Sequence, residues 1–121
     1  MVITGSGSDT VMGDNGEISY GLNSVTIQST ATNQGGDDII TALGGDNTIV
    51  GGFGIDTITT ASGNDVVLGD SGELSYVNNS LTNAVSSETA LGDVDTIAVG
   101  EGDNIVIKAQ MWLLLVRVPT Q

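Results

Sequence analysis

Aliphatic side chains recur with a period of nine between residues 33 and 68. Written in blocks of nine, this stretch reads NQGGDDIIT, ALGGDNTIV, GGFGIDTIT and TASGNDVVL. The fourth residue of every block is Gly, the sixth is Asp or Asn, and the eighth is aliphatic. Because Gly permits the positive φ of a tight turn while Thr, Ile and Val favour extended backbone, each block predicts a turn followed by a short strand.

Two such blocks predict one coil of 18 residues, so residues 18 apart stack at the ~4.8 Å spacing of neighbouring strands. Each repeat is unable to bury its apolar face alone, which is typical of stacked solenoids. The predicted fold is therefore all-β, a parallel β-roll or β-helix solenoid of nonapeptide repeats. The eighth positions point inward and form the predicted core rows: Val11, Ile40, Ile49, Ile58, Val67, Ile97 and Val106.

The frame of nine extends beyond this stretch and is interrupted twice. It includes residues 4–12, and it resumes at 90–98 and 99–107. The interruptions begin with GDNGEISY at Gly13 and GDSGELSY at Gly69. Each continues into alternating runs around a polar turn, which predicts β-hairpins inserted at about 17–32 and 73–89. We expect one roll over residues 1–107.

Residues 108–121 leave the pattern. KAQMWLLLVRVPTQ contains neither Gly nor Asp and holds both basic residues of the chain. One interpretation is an atypical C-terminal tail or cap strand, because solenoids need atypical ends. The other is a segment translated from a shifted reading frame. Self-association through the terminal coils or this apolar tail is a further expectation.

Composition restricts the classes of function. The chain has 15 acidic and 2 basic residues, a net charge of −13, which disfavours nucleic acid and anionic membranes and favours cations as partners. The longest apolar run, 111–116, is too short to span a bilayer, which needs ~20 residues. The absence of His and Cys excludes imidazole catalysis, the usual zinc ligand sets and disulfides.

The sixth positions bring acidic side chains together in two stacks. Asp38 and Asp56 stack on one side of the predicted solenoid, and Asn47 and Asp65 stack on the other. Two carboxylates ~5 Å apart repel by ~3 kcal/mol at an effective dielectric of 20, and a divalent cation between the turns reverses this repulsion. Ca²⁺ suits such a site because it takes 6–8 oxygen ligands, whereas Mg²⁺ demands a stricter geometry.

The predicted calcium ligands are the side chains at the sixth positions and the backbone of the fourth-position glycines. The side chains are Asp9, Asp38, Asn47, Asp56, Asp65, Asp95 and Asn104, and the glycines are Gly36, Gly45, Gly54 and Gly63. Asp14 and Asp70, in the GDNGE and GDSGE segments, are either additional ligands or formers of Asx turns.

Two other functions are compatible with the pattern. The seventh positions place Thr10, Thr48, Thr57 and Thr96 in an outward row, as in an adhesin or a glycan- or ice-binding repeat in which calcium is only structural. A polysaccharide-acting enzyme needs two acids facing one substrate ~5–9.5 Å apart. The adjacent pair at 37–38 points to opposite faces of a strand, so no enzymatic activity is expected.

Residues 51–59, which read GGFGIDTIT, resemble the RTX (repeats-in-toxin, haemolysin-type) calcium-binding repeat, and SGNDVVL and GGDDIIT look like its common variants. The resemblance covers 4–12, 33–68 and, more loosely, 90–107. It implies a parallel β-roll with calcium between glycine turns. It also implies a large bacterial protein, secreted by type I machinery or held at the cell surface, that folds when calcium is present. Asn47 and Asn104 depart from the family's Asp, and at these turns we expect weaker calcium binding or none.

Overall fold

The computed structural model describes residues 1–87 and 94–107, together with the backbone of one strand at 114–118. These residues form strands, turns and bends without a helix, so the prediction of an all-β chain is confirmed for them. Within the same described part, nothing forms a helix long and apolar enough to cross a membrane. The end of the second predicted insertion (88–89), the first residues of the repeat at 90–98 and most of the tail lie outside the described residues.

The strands of the repeats alternate along the chain between two parallel sheets. Sheet A has the order β1 (Val2–Thr4), β5 (Ile39–Ala42), β7 (Thr57–Thr60) and β11 (Thr96–Ala98). Sheet B has the order β2 (Thr10–Met12), β6 (Thr48–Val50), β8 (Val66–Leu68) and β12 (Gly102–Ile107). The strand β13 (Leu114–Val118) pairs antiparallel with β12 and is the last strand of sheet B.

The pairing register follows the frame of nine. Ile40 of β5 pairs with Ile58 of β7, as the 18-residue stacking predicts. Across the first insertion, Val11 of β2 still pairs with Ile49 of β6. The insertions therefore lengthen a turn without displacing the stack of strands.

The eighth-position side chains fill the space between sheets A and B. One cluster contains Val11, Ile40, Ala42, Ile49, Ile58 and Val67, contributed by both sheets. Ile40, Ile49, Ile58 and Val67 have no exposed surface. Ile97 is partly buried against this cluster, and Val106 is buried. The predicted core row is confirmed.

The two inserted hairpins join in a third, antiparallel sheet. The first hairpin is β3 (Gly16–Gly21) and β4 (Ser24–Ser29), and the second is β9 (Gly72–Val77) and β10 (Ser80–Ser86). Strand β4 pairs with β9, which gives the order β10-β9-β4-β3. The insertions follow β2 and β8, so both leave the same side of the molecule, on either side of the uninterrupted turn at 51–56.

A second apolar cluster joins sheet B to this hairpin sheet. Val50, Val66, Leu68 and Ile107 of sheet B pack with Ile27 and Leu74 of the hairpins. Side chains alternate along a strand, so Val67 enters the first core while its neighbours Val66 and Leu68 enter the second. All three residues of β8 are consequently buried. Each such side chain contributes ~1.5–3 kcal/mol on burial, so the hairpins are packed parts of the fold.

Candidate metal centre

Two sets of polar turns connect the sheets, one on each side. The turns before the strands of sheet A contain Asp38, Asp56 and Asp95, and we call them the Asp column. Asp9, Asn47 and Asp65 lie in the turns before the strands of sheet B, and Asn104 lies in the first half of β12. We call these four turns, counting the start of β12 as the last, the mixed column. The structure thus brings together the sixth-position residues that the sequence predicted to stack.

One oxygen of each sixth-position side chain holds the preceding turn of its column. The Asp38 N–H donates to Oδ1 of Asp56 at 2.8 Å, and the Asp56 N–H donates to Oδ1 of Asp95 at 2.8 Å. The same bond recurs, at 2.8–3.0 Å, along the mixed column through Asp9, Asn47, Asp65 and Asn104. This oxygen therefore accepts a backbone N–H wherever a turn precedes it in the column, at Asn47, Asp56, Asp65, Asp95 and Asn104.

The fifth-position side chains make the reciprocal bond, which the sequence analysis did not identify. Oδ1 of Asp37 accepts a hydrogen bond from the Ile55 N–H at 2.8 Å, and Oδ1 of Asp46 accepts one from the Asn64 N–H at 2.8 Å. The fifth residue is Asp or Asn in three of the four central blocks, and this was the available signal. Neighbouring turns are thus locked in both directions.

The second carboxylate oxygen is buried without a hydrogen-bond partner at several of these positions. It is the Oδ2 atom of Asp9, Asp14, Asp38, Asp56 and Asp65. The side chains of Asp56 and Asp65 have no exposed surface at all. Because a buried charged oxygen without a partner costs several kcal/mol, these atoms fit a bound cation.

Asp14 lies at the first turn of the Asp column, beside the predicted ligands. Its Oδ1 accepts the Gly36 N–H at 3.1 Å. A Cβ added at Gly52 would lie 2.6 Å from its Oδ2, so the carboxylate lies against the next turn. The bond with Gly36 joins residues 22 apart and is not the local bond of an Asx turn. The charge of Asp14 acts on both Asp38 and Asp56, which is compatible with the role of an additional ligand.

The pKa of Asp56 is raised to about 7, chiefly because the group is buried. The hydrogen bond from the Asp38 N–H lowers this pKa, while the charges of Asp95, Asp38 and Asp14 raise it. Burial, followed by the charge of Asp14, also raises the pKa of Asp38. Burial and mutual repulsion therefore disfavour the ionised carboxylates of the Asp column. A bound cation would favour the ionised form.

The fourth-position glycines bring the backbones of successive turns together. Gly54 has a φ of +117° and Gly63 one of +133°, in the left-handed region that favours Gly. Gly45 is also left-handed, whereas Gly36, which follows the first hairpin, is not among the positive-φ residues. A Cβ at Gly54 would lie 2.5 Å from the carbonyl oxygen of Gly36, so carbonyl oxygens line the space between the turns.

The donor set fits a hard cation that accepts backbone oxygens. Among the described residues, no group of three or more His, Cys, Asp or Glu side chains converges on one point. A cation in these turns would bind one or two carboxylates and complete its shell with carbonyl oxygens. Ca²⁺ accepts this mixture, with 6–8 oxygen ligands in a flexible geometry.

Comparison with protein families gives an independent result. The family described as RTX calcium-binding nonapeptide repeat matches four copies in this chain, over residues 2–17, 34–58 and 41–73. Comparison with the curated proteins and with the solved structures found no match. The matched segments contain Asp9, Asp38, Asn47, Asp56 and Asp65. Residues 2–17 and 34–73 therefore carry RTX calcium-binding nonapeptide repeats, and Ca²⁺ is the ion that such repeats bind.

Proposed function

We propose that this chain is a parallel β-roll module of a larger secreted bacterial protein, and that Ca²⁺ binding drives its folding. The observation that carries the proposal is the set of buried, partnerless carboxylate oxygens in the turns of an RTX repeat. The alternation of consecutive repeat strands between two parallel sheets supports a roll with two strands per coil. The antiparallel β13 at the end of sheet B has the position of a cap strand.

The proposed ligands in the Asp column are the carboxylates of Asp38, Asp56 and Asp95 with carbonyl oxygens of the glycine turns. The carboxylates of Asp56 and Asp95 each accept the backbone N–H of the preceding turn of the column, so stacking holds the three turns together. Without a cation, burial and mutual repulsion of these charges oppose folding. With one, each turn gains an ionic contact to its neighbour, and the net charge of −13 is reduced.

The proposed location is extracellular, either free or at the cell surface. RTX repeat proteins are typically secreted, and a module that needs Ca²⁺ stays unfolded where the ion is scarce. Extracellular calcium modules have dissociation constants of ~10⁻⁴–10⁻³ M, and we expect the folding midpoint in this range. Ca²⁺ at 100 times the dissociation constant would stabilise the folded chain by ~2.7 kcal/mol for each site.

The alternative function, an adhesin or a glycan- or ice-binding repeat, requires a continuous outward row of Thr side chains. Thr10 and Thr48 are paired in sheet B, whereas Thr57 and Thr96 are paired in sheet A. The Thr48 hydroxyl lies 2.9 Å from the Tyr76 hydroxyl of the hairpin sheet. The row is therefore divided between two sheets, and in sheet B Thr48 is partly covered while Thr10 is exposed. This division favours calcium-dependent folding as the function.

A calcium titration of the chain, followed by far-UV circular dichroism, tests the proposal. We expect the strand signal and the thermal midpoint to rise with Ca²⁺ and to fall again when EDTA is added. Mg²⁺ at the same concentration is the matched control and should have little effect, since it demands stricter geometry. Strand signal and melting that do not change with EDTA would refute the function.

A further inference from the structure

We propose that the side-chain amides of Asn47 and Asn104 replace a cation in the mixed column, so that these turns form without Ca²⁺. The calcium function proposed above enters this proposal only where the mixed column is contrasted with the calcium-binding Asp column. The hydrogen bonds of the two amides carry it directly. It revises the prediction that counted both Asn residues among the calcium ligands.

The Asn47 amide nitrogen is surrounded by oxygen atoms. Nδ2 donates to the carbonyl oxygens of Leu43 at 3.2 Å and Gly45 at 3.1 Å, and it lies 3.1 Å from Oδ1 of Asp65. The side chain is 1% exposed. Two carbonyls and a carboxylate oxygen only accept hydrogen bonds, which fixes the NH₂ end of the amide at this point.

The same arrangement recurs at Asn104. Its Nδ2 donates to the carbonyl oxygens of Gly100 at 3.0 Å and Gly102 at 3.4 Å. The side chain has no exposed surface. In both blocks of nine the accepting carbonyls belong to the second and fourth residues and the amide to the sixth. The recurrence shows that the bonds follow from the repeat geometry with Asn at the sixth position.

At Asp56 the sixth position carries a carboxylate instead of an amide and therefore lacks the two N–H donors. Its Oδ1 accepts the N–H of the preceding turn, as Oδ1 of Asn47 does. The remaining atom corresponds to the amide nitrogen, but in Asp56 it is an oxygen, and it is buried without a partner. When the carboxylate is ionised, this oxygen has no proton to share with the carbonyls of its turn, so it needs a cation between them. An amide supplies the donors itself.

The mixed column therefore alternates between residues of two kinds. Asp9 and Asp65 are acidic, and Asn47 and Asn104 carry their own donors. Oδ1 of Asp65 accepts from both the backbone N–H and Nδ2 of Asn47. Neighbouring turns are thus held by a neutral amide and a carboxylate instead of two repelling carboxylates. The turns of Asn47 and Asn104 therefore need no cation, whereas Oδ2 of Asp9 and Asp65 in the same column is buried without a partner and still fits one.

The test compares Asn47→Asp with the matched control Asn64→Asp, in EDTA and in saturating Ca²⁺. Asn64 is exposed at the fifth position, and its Oδ1 accepts the Asp103 N–H at 2.8 Å, a bond that a carboxylate keeps. In EDTA we expect the thermal midpoint of Asn47→Asp to lie ~5–15 °C below that of the control, since it places an oxygen against buried acceptors. In Ca²⁺ the midpoint should recover, and titration calorimetry should count about one more bound ion than in the control.

Equal midpoints of the two variants in EDTA would overturn the proposal, as would a loss that Ca²⁺ does not restore. If Asn47→Asp fails to fold in both conditions, Asn104→Asp decides the matter, and a wild-type midpoint in EDTA for that variant overturns the proposal. The calcium function fails separately. If EDTA leaves the unsubstituted chain unchanged, that function is refuted, while the difference between the two variants in EDTA still measures the role of the amide.

Discussion

Replacing Asp56 by Asn should stabilise the metal-free chain and weaken its response to Ca²⁺. Asp56 has no exposed surface, and its Oδ2 is buried without a partner. Asn at this position keeps Oδ1 as the acceptor for the Asp38 N–H. Its Nδ2 takes the place of Oδ2, which is the arrangement observed at Asn47. One atom is exchanged, and the turn gains two donors.

The raised pKa of Asp56 gives the size of the effect. The folded state binds this proton more tightly than the unfolded state, because the pKa rises from 3.8 to about 7 on folding. The stabilisation from this proton is complete below about pH 3.8 and is lost as the pH rises through about 7. A shift of about three pKa units corresponds to roughly 4 kcal/mol. Asn avoids this loss, so at pH 8 in EDTA we expect the variant to be more stable by about 2–4 kcal/mol.

The assay is urea unfolding, followed by circular dichroism in EDTA, between pH 5 and pH 8. The unsubstituted chain should lose stability as the pH rises, and Asp56→Asn should lose much less. In saturating Ca²⁺ at pH 8, the unsubstituted chain should gain more stability than the variant. The matched control is Asp37→Asn, which removes the same charge at an exposed fifth position. If Asp56→Asn is less stable than the unsubstituted chain in EDTA at pH 8, the cation-dependent role of Asp56 is refuted.

Two pairs of substitutions test the backbone and the core. Gly54→Ala should destabilise the chain by about 2 kcal/mol or more, because Gly54 has a φ of +117° and its Cβ would meet a carbonyl oxygen at 2.5 Å; Gly36→Ala, with nothing within 4 Å of its Cβ, should shift the urea midpoint little. Ile58→Ala should cost about 2–5 kcal/mol since Ile58 is fully buried, whereas Ile55→Ala, at a side chain 50% exposed, should cost about 0.5 kcal/mol or less. Equal losses of stability within the glycine pair would contradict the close backbone contact at Gly54, and equal losses within the isoleucine pair would contradict the burial of Ile58 and the exposure of Ile55.

The period of the sequence was sufficient to predict the main stack of strands. Ile40, Ile49, Ile58 and Val67 recur every nine residues, and parallel stacking of such units leaves one inward position for each. Register is set by this apolar pattern, and the insertions do not alter it. The turns at 51–56 and 61–65 could likewise be located, because Gly and Asp mark them in fixed phase.

The hairpin sheet could not be predicted from the period of nine, because its signal has a period of 18. The ninth residues of successive blocks are Thr41, Val50, Thr59 and Leu68. Val50 and Leu68 lie in sheet B and are buried by the hairpins, while Thr59 in sheet A is exposed. Alternation of Thr with apolar side chains was thus a visible signal that one outer face is covered. What covers it could not be predicted, because the pairing of β4 with β9 joins residues from two separate insertions.

The sixth positions stack as the period predicts, but whether each one binds a cation depends on which atoms its side chain carries. Asp and Asn differ only in whether the second terminal atom accepts or donates, and a pattern that treats them as equivalent assigns calcium to both. The bonds from Nδ2 of Asn47 to the carbonyls of its own turn become visible only when the turn geometry is known. The hydrogen bonds of the fifth positions were not predicted, because exposed polar residues in turns usually contact only solvent.

The ninth positions alternate with a period of 18, and both Asn residues at the sixth position fall in one column, so each coil of the proposed roll has two unlike halves. Sheet B is covered on its outer face by the hairpins, and the mixed column beside it contains both Asn amides. Sheet A has an open outer face and is preceded by turns with Asp alone at the sixth position. It follows from the proposals above that removal of Ca²⁺ acts first on the turns of sheet A. The hairpins leave from this same side, so calcium binding also fixes the point from which the second core is assembled.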